Sequence, residues 1–204
     1  MKISYAILTH NEGKCIERLI DTILQYKEPE DEIVVVDDYS NDSETVSILT
    51  EYSSTNKIQL HFRQLEGNFS AQKNHLMTKC SGDFIFNIDA DELPKPELLV
   101  NLKAIIVANP EVDVYAIPRE NTVEGITSEH IAKWKWRVNE KGFINFPDNQ
   151  LRLIKNNVGI EWQNKVHEVP TRFRNISILP DEFALIHHKE ISKQEKQNNF
   201  YDTI

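Results

Sequence analysis

The sequence predicts an α/β fold in which helices flank a mostly parallel central sheet, with a smaller portion formed by the C-terminal residues. Short apolar runs alternate with amphipathic segments through residues 1–118, and short polar loops separate them. Such alternation is typical of an open parallel sheet that is covered by helices on both faces. The 204 residues, 40% of them hydrophobic, can bury a sizeable core, which excludes a disordered chain.

The elements of the first part follow from local patterns. Residues 2–8 are a short apolar run, which predicts the first strand. Apolar side chains at helical spacing predict a helix over 13–26, and the β-branched run 33–36 predicts a strand buried on both faces. The same reasoning predicts a helix ending near residue 54, strands at 58–63, 84–88 and 113–117, and helices at 69–80 and 95–108.

The periodicity fades after residue 118, and residues 119–149 are predicted to form a loop. Shorter strands are expected at 150–155 and 183–187, and a polar helix from about residue 191. We therefore expect a single domain over residues 1–204.

Composition excludes several classes of protein. The net charge of −9 argues against a small basic nucleic-acid-binding module. This charge is uneven, since residues 1–132 carry a net −12 and residues 133–204 a net +3, which suggests two different roles. Cys15 and Cys80 form neither a disulfide framework nor a zinc-binding spacing. No signal peptide and no run of roughly 18–20 apolar residues is present, so we expect a cytoplasmic protein without a membrane span.

Three polar clusters follow three predicted strands: Thr9–Glu12, Asp37-Asp38 and Asp89-Ala90-Asp91. Ligands of such sheets bind outside the carboxyl ends of the strands, so the clusters are expected to meet in one crevice. Two carboxylates two residues apart can both reach a hard divalent cation, which favours a Mn²⁺ or Mg²⁺ site. The alternative interpretation is that each cluster is a turn or a helix cap.

The absence of three sequence motifs argues against three further classes of enzyme. The chain has no GxGxxG, no GxxxxGK[ST] and no GxSxG, which disfavours dinucleotide oxidoreductases, P-loop NTPases and α/β-hydrolases. Lys73 and Asn74 lie on a predicted helix, where one turn would direct either of them toward the crevice or, alternatively, toward solvent.

Five segments, in order, carry a resemblance to a known family. They are ILTHNE (7–12), EIVVVDDYSND (32–42), FSAQKNHLMTKCSGDFIFNIDADE (69–92), QLRLI (150–154) and VHE (166–168). Together they resemble the family 2 glycosyltransferases of GT-A fold, in particular small bacterial and phage members related to lipopolysaccharide-core transferases. The resemblance implies metal-dependent, inverting sugar transfer from a nucleoside-diphosphate sugar, foremost a UDP-sugar, to an acceptor hydroxyl. Residues 1–118 would then bind the donor, and residues 119–204 the acceptor.

The resemblance also implies roles for particular residues. Asp38 is the better candidate for contact with the nucleobase, Asp91 for the direct metal ligand, and Asp89 for a sugar or ribose contact. The complete set expected to bind the nucleotide-sugar is Thr9, Asn11, Glu12, Asp37, Asp38, Lys73, Asn74, Asp89, Ala90, Asp91 and Arg152. His187 and His188 end a predicted strand, where they could act as further metal ligands or have a purely structural role.

The catalytic base is expected among isolated carboxylates, because the acidic pair that many family members use as the base motif is absent. Inverting transfer needs a carboxylate that takes the proton of the acceptor hydroxyl. Glu168 is the first candidate and Asp148 the second. Trp134 and Trp136 are predicted to stack on the acceptor, the alternative being that they hold the long loop in place.

Several alternatives stay open from the sequence. The acceptor is expected to be a cell-surface glycan or lipopolysaccharide, while a hydroxymethylated base of phage DNA is less favoured because of the acidic net charge. A nucleotidyltransferase or a non-catalytic sugar-nucleotide-binding module are the alternative functions. Self-association into a homo-oligomer, a location at the inner face of the membrane, and a host cytoplasm for a phage protein are compatible with the sequence.

Overall fold

The computed structural model of the protein describes the backbone of residues 1–201 and the side chains of residues 1–196. The helices are α1 (Lys14–Tyr26), α2 (Ser43–Ser54), α3 (Phe69–Met77), α4 (Pro96–Ala108), α5 (Ser128–Trp134) and α6 (Ile191–Tyr201). The strands are β1 (Ile3–Thr9), β2 (Glu32–Asp37), β3 (Gln59–Phe62), β4 (Phe84–Asp89), β5 (Glu92–Pro94), β6 (Val114–Ile117), β7 (Arg119–Glu124), β8 (Gln150–Lys155), β9 (Glu161–Gln163), β10 (Val169–Thr171), β11 (Ile176–Ile178) and β12 (Leu185–Glu190).

A seven-stranded sheet with the order β11-β6-β8-β4-β1-β2-β3 forms the centre of the fold. Strands β4, β1, β2 and β3 are parallel to one another, and β8 runs antiparallel to both of its neighbours, β4 and β6. Two smaller sheets accompany it, one with the order β5-β12-β7 and one formed by β9 and β10. The predicted α/β class with a mostly parallel central sheet is confirmed.

The central strands are continuous apolar runs because both of their faces are buried in the core. Along β1, Ile3, Tyr5 and Ile7 point to one face of the sheet, where α1, α2 and α4 pack, whereas Ala6 points to the other face beside α3. Both faces are therefore covered by helices, and polar side chains within these strands would lose water on either side.

Helices α2 and α3 each begin at a residue whose side chain caps the first turn. The Asp42 carboxylate accepts a hydrogen bond from the backbone N–H of Thr45 and caps α2. Asn68 caps α3 in the same way through Ala71. The helix predicted over 69–80 ends at Met77, because turn residues follow it before β4.

The prediction of a loop over residues 119–149 is wrong, since this segment contains β7 and α5. The polar strand β7 pairs with β12, more than 60 residues later, so no local periodicity reveals it. Helix α5 buries none of its residues fully and begins with a capping box between Thr127 and His130. The strand predicted at 183–187 lies at Leu185–Glu190, because residues 181–183 form a single 3-10 turn.

Among the residues that the structure describes, no helix has both the length and the apolar character that crossing a bilayer requires.

Candidate active site

The ends of three parallel strands meet at one edge of the central sheet. In the register of the sheet, Thr9 lies opposite Asp37, and Leu8 lies opposite Asp89. A cleft of about 680 Å³ opens just outside this edge. The sequence-predicted residues that line it are Thr9, Glu12, Asp38, Lys73, Asp89, Ala90, Asp91, Trp136, Asp148, Arg152, Glu168 and His187.

Five other predicted residues, Asn11, Asp37, Asn74, Trp134 and His188, are not among the residues that line the cleft. Each has a contact that explains its position. His188 is exposed beside Thr122 Oγ1, at 2.8 Å from its Nδ1, and lies on the opposite side of β12 from His187.

Asp37 and Asn11 shape the loops beside the cleft. The buried Asp37 carboxylate accepts hydrogen bonds from the backbone N–H and the hydroxyl of Ser40, at 2.9 and 2.5 Å. The Asn11 side-chain oxygen accepts from the backbone N–H groups of Asn41 and Asp42, at 2.8 and 3.1 Å. These contacts join the loop after β1 to the loop after β2.

Asp38 and Thr9 present polar atoms to the cleft. The half-buried Asp38 carboxylate accepts one hydrogen bond from the backbone N–H of Leu65 at 2.8 Å. Thr9 is 5% exposed, and its hydroxyl has no hydrogen-bond partner within the described part of the chain. Because an unpaired buried hydroxyl is costly, its position at the cleft wall favours a polar ligand there.

A chain of alternating charges crosses the floor of the cleft from Asp89 to Asp148. Arg152 pairs with both Asp89 and Glu92, and its nitrogen lies 2.6 Å from the Glu92 carboxylate. Arg119 lies 2.9 Å from the Glu92 carboxylate and 2.7 Å from the Asp148 carboxylate, and so it joins the two. Burial would raise the pKa of Asp89, but Arg152 and Lys73 outweigh it and hold that pKa well below its usual range.

Glu92 is the centre of this chain, since its side chain is fully buried and both arginines donate to it. We expect Glu92→Gln to lower the free energy of unfolding by about 3 kcal/mol, because two buried guanidinium groups lose their shared counter-charge. Urea unfolding of the variant would measure the loss, with Glu111→Gln, at an exposed glutamate, as the control. A loss below that of the control variant would contradict this interpretation.

Asp91 lies close to two lysine side chains and one histidine side chain. Its Oδ2 is 3.4 Å from Lys189 Nζ, 3.5 Å from His187 Nε2 and 3.5 Å from Lys193 Nζ. Burial would raise the pKa of Asp91, but the hydrogen bond from His187 and the charge of Lys189 lower it well below its ordinary value. Asp91 is therefore ionised at neutral pH.

Lys73 and Asn74 leave α3 in different directions. The Lys73 ammonium lies 2.6 Å from the Glu168 carboxylate and 4.3 Å from the ring centre of Trp162. Asn74 instead forms two hydrogen bonds with the backbone of Trp162, at 2.8 and 2.9 Å, and so ties α3 to β9. Lys73 is thereby held at the wall of the cleft together with Glu168.

The cleft offers two side chains, Asp91 and His187, as ligands for a divalent cation. Within the described side chains, no group of three His, Cys, Asp or Glu residues is arranged to hold a metal ion. Asp91 and His187 nevertheless converge on the cleft, and Mg²⁺ typically takes one or two protein ligands, with water and substrate phosphates as the others. Six carboxylates and four lysine or arginine side chains line the cleft, so acidic side chains outnumber these basic ones along its walls.

An aromatic group forms the rim of the cleft on the α5 side. Trp136 lines the cleft, and its ring centre lies 4.7 Å from that of Trp134. Trp134 stacks on His130 at 5.3 Å, and this contact anchors the pair to α5. The rings are half-buried, while Lys133 and Lys135 beside them are exposed.

Several polar residues that line the cleft, or that contact its lining residues, were not predicted. Glu92 directly follows the Asp-Ala-Asp motif, and this adjacency was the available signal. Arg119 and Asn121 lie in the segment that was expected to be a loop, and Lys189 and Lys193 follow the two histidines. Their contact with Asp91 depends on the pairing of β12 with β5 and β7, which no short-range pattern encodes.

The mostly parallel central sheet, which is flanked by helices, is an α/β fold of the GT-A type. Residues 4–187 match the family described as Glycosyl transferase family 2, and the chain therefore belongs to that family.

Three comparisons describe the relationship. Poly(ribitol-phosphate) beta-N-acetylglucosaminyltransferase TarP of Staphylococcus aureus (strain N315) is 29% identical over 107 residues, 50% of this chain and 32% of that protein. Lipopolysaccharide core biosynthesis glycosyltransferase LpsC of Rhizobium meliloti (strain 1021) is 27% identical over 213 residues, 100% of this chain and 70% of that protein. A crystal structure of S. aureus TarS 1–349 with UDP-GlcNAc shares the fold, with a TM-score of 0.63, 22% identity and coverage of 93% of this chain and 59% of that one. The chain thus spans about a third of TarP, and only 19% of the full TarS protein.

Proposed function

We propose that this chain transfers a sugar from a nucleoside-diphosphate sugar, with UDP as the nucleotide, to an acceptor hydroxyl with inversion at the anomeric carbon. The observation that carries the proposal is the position of Asp89 and Asp91 at the edge where β1, β2 and β4 end. Thr9 and Asp38 offer a hydroxyl and a carboxylate to the nucleoside at the same edge. The family of the chain supports the same reaction.

The donor diphosphate would lie between Asp91 and the cations of the cleft. Asp91 and His187 would hold Mn²⁺ or Mg²⁺, whose chemistry is to neutralise the charge that develops on the departing diphosphate. Asp89, which is fixed by Arg152, would then accept a hydrogen bond from a hydroxyl of the ribose or of the sugar. Glu12 borders this region and completes its acidic wall.

Glu168 would accept the proton of the acceptor hydroxyl as that oxygen attacks the anomeric carbon and the bond to the diphosphate breaks. Its side chain is 17% exposed and lines the cleft beside Lys73, which orients it. Asp148 is less suited to this role. Burial would raise the pKa of Asp148, but Arg119 and Asn121 lower it below its ordinary value, and a weakly basic carboxylate removes a proton poorly.

The acceptor would lie against the aromatic rim and carry negative charge. Trp136 offers a ring for stacking on a sugar, the exposed Lys135 and Arg137 flank it in the sequence, and Lys133 lies over the neighbouring Trp134 ring. The acceptor named for TarP is poly(ribitol-phosphate), an anionic polymer, which agrees with this surface. Residues 119–204 would therefore serve mainly the acceptor and residues 1–118 the donor.

Donor binding and transfer can be tested in one experiment. Purified protein is titrated with UDP-GlcNAc and with GDP-, ADP-, CMP- and TDP-sugars, in Mn²⁺ and in EDTA, and binding and nucleotide release are measured. We expect one UDP-sugar to bind with metal, and Trp136→Ala to keep that binding while it lowers transfer to an anionic glycan. Binding of no donor by folded protein would contradict the donor proposal, and unchanged transfer by Trp136→Ala would contradict the acceptor proposal.

A further inference from the structure

The C-terminal helix α6 places a lysine at the donor side of the cleft. Lys193 Nζ lies 2.6 Å from the Glu12 carboxylate and 3.5 Å from Asp91 Oδ2. An ammonium group therefore already neutralises the carboxylates toward which a divalent cation would be drawn.

Lys193 differs from Lys189 and His187, the other two neighbours of Asp91, in its exposure to solvent. Lys189 and His187 extend from β12 and are 7% and 8% exposed, so the sheet holds them in place. The Lys193 side chain is 44% exposed and is attached to a helix at the surface of the fold. A cation that bound Asp91 would repel both lysines, and Lys193 has the more exposed side chain of the two, which can turn into solvent.

We propose that Lys193 holds the cation position between Asp91 and Glu12 until a divalent cation replaces it, so that metal binding detaches α6 from the donor side of the cleft. This inference rests on the proposed use of a metal at Asp91. It makes Lys193 a residue of the donor site that competes with the metal rather than one that assists its binding.

The replacement of Lys193 by a cation would also affect the aromatic rim of the cleft, where the acceptor is proposed to bind. On the same helix, Glu195 lies 3.6 Å from His130, and His130 stacks on Trp134. Helix α6 thus connects the carboxylates of the donor side with the aromatic side chains of the acceptor side. Release of Lys193 would loosen this connection and widen the approach of an acceptor to the cleft.

The test is the affinity for Mn²⁺ in the absence of any donor, measured from the electron paramagnetic resonance signal of free Mn²⁺. We expect Lys193→Gln to bind Mn²⁺ about tenfold more tightly than the wild type, because a positive charge near the ion is removed. Lys196→Gln, which removes an exposed charge from the same helix, is expected to change the affinity much less. An equal or weaker affinity of Lys193→Gln, or no Mn²⁺ binding by either protein, would overturn the proposal.

Hydrogen exchange provides a second measurement that needs no variant. Amides of residues 191–196 should exchange several-fold faster when Mn²⁺ is added to the wild-type protein, and protection that is unchanged or increased would overturn the proposal. Binding of UDP-sugar by the same samples separates the two proposals. If the donor binds but the Mn²⁺ affinity is the same in the wild type and in Lys193→Gln, only the proposed replacement of Lys193 by the cation is contradicted. If folded protein binds no donor, the proposed function itself is contradicted.

Discussion

Replacement of Asp91 by asparagine is expected to lower kcat/KM for sugar transfer by about 10³-fold, or roughly 4 kcal/mol of transition-state stabilisation. Asp91 is ionised at neutral pH and faces the cleft beside His187. Asparagine keeps the shape of the side chain but removes the negative charge that would hold the cation next to the departing diphosphate. Because Lys189 and Lys193 would keep their charges next to a neutral side chain, cation binding would be opposed further.

Two measurements on the Asp91→Asn variant separate charge from folding. Steady-state transfer with UDP-sugar gives kcat/KM, and titration with Mn²⁺ gives the affinity for the cation. Asp181→Asn, at an exposed aspartate in the 3-10 turn, is the matched control and should retain wild-type values. A variant that folds and transfers sugar within tenfold of the wild-type rate would show that Asp91 does not hold the cation.

The central sheet and its site edge were predictable because their signals are local. Val34, Val35 and Val36 form a run that is buried on both faces, which is typical of a covered parallel strand. The rule that ligands bind at the carboxyl ends of strands then predicts that Thr9, Asp38 and Asp91 lie near one another. The structure brings these three residues to the same cleft.

The acceptor side was less predictable because long-range pairing builds it. Strand β7 is polar, and what makes it a strand is its pairing with β12, in which Arg119 lies opposite Leu185. Local propensity contains no information about such a partner. For the same reason, Arg119 could not be assigned to the buried chain of charges that joins Glu92 to Asp148.

The direction in which a side chain points was the second feature that the sequence did not predict. Lys73 and Asn74 are adjacent on α3, and either could have faced the cleft. The choice depends on β9, whose Trp162 backbone binds Asn74 on one side while the Trp162 ring supports the Lys73 ammonium on the other. Residues two or fewer positions apart on a helix point in different directions, so a motif alone does not specify which one meets the ligand.

Glu168→Gln is expected to lower kcat by about 10³-fold and to leave the donor affinity close to that of the wild type. The glutamine amide cannot take a proton from the acceptor hydroxyl, but its oxygen can still accept a hydrogen bond from Lys73, whose ammonium is 5% exposed. The donor wall of the cleft therefore stays intact. Single-turnover transfer would measure the chemical step, and calorimetry would measure donor binding.

Asp148→Asn, measured in the same assays, decides between the two candidate bases. The Asp148 carboxylate accepts hydrogen bonds from Arg119 and Asn121 at 2.7 and 2.6 Å. Because its oxygens are already engaged in these contacts, they are less available to the hydroxyl of an acceptor. We expect Asp148→Asn to reduce kcat less than Glu168→Gln does and to reduce stability more, since among the described side chains Arg119 then keeps Glu92 as its one charged partner. Glu161→Gln, at an exposed glutamate near Glu168 in sequence, controls for loss of charge. The opposite order of kcat values would assign the proton transfer to Asp148, and the lowered pKa of that carboxyl would then have to rise when the donor binds.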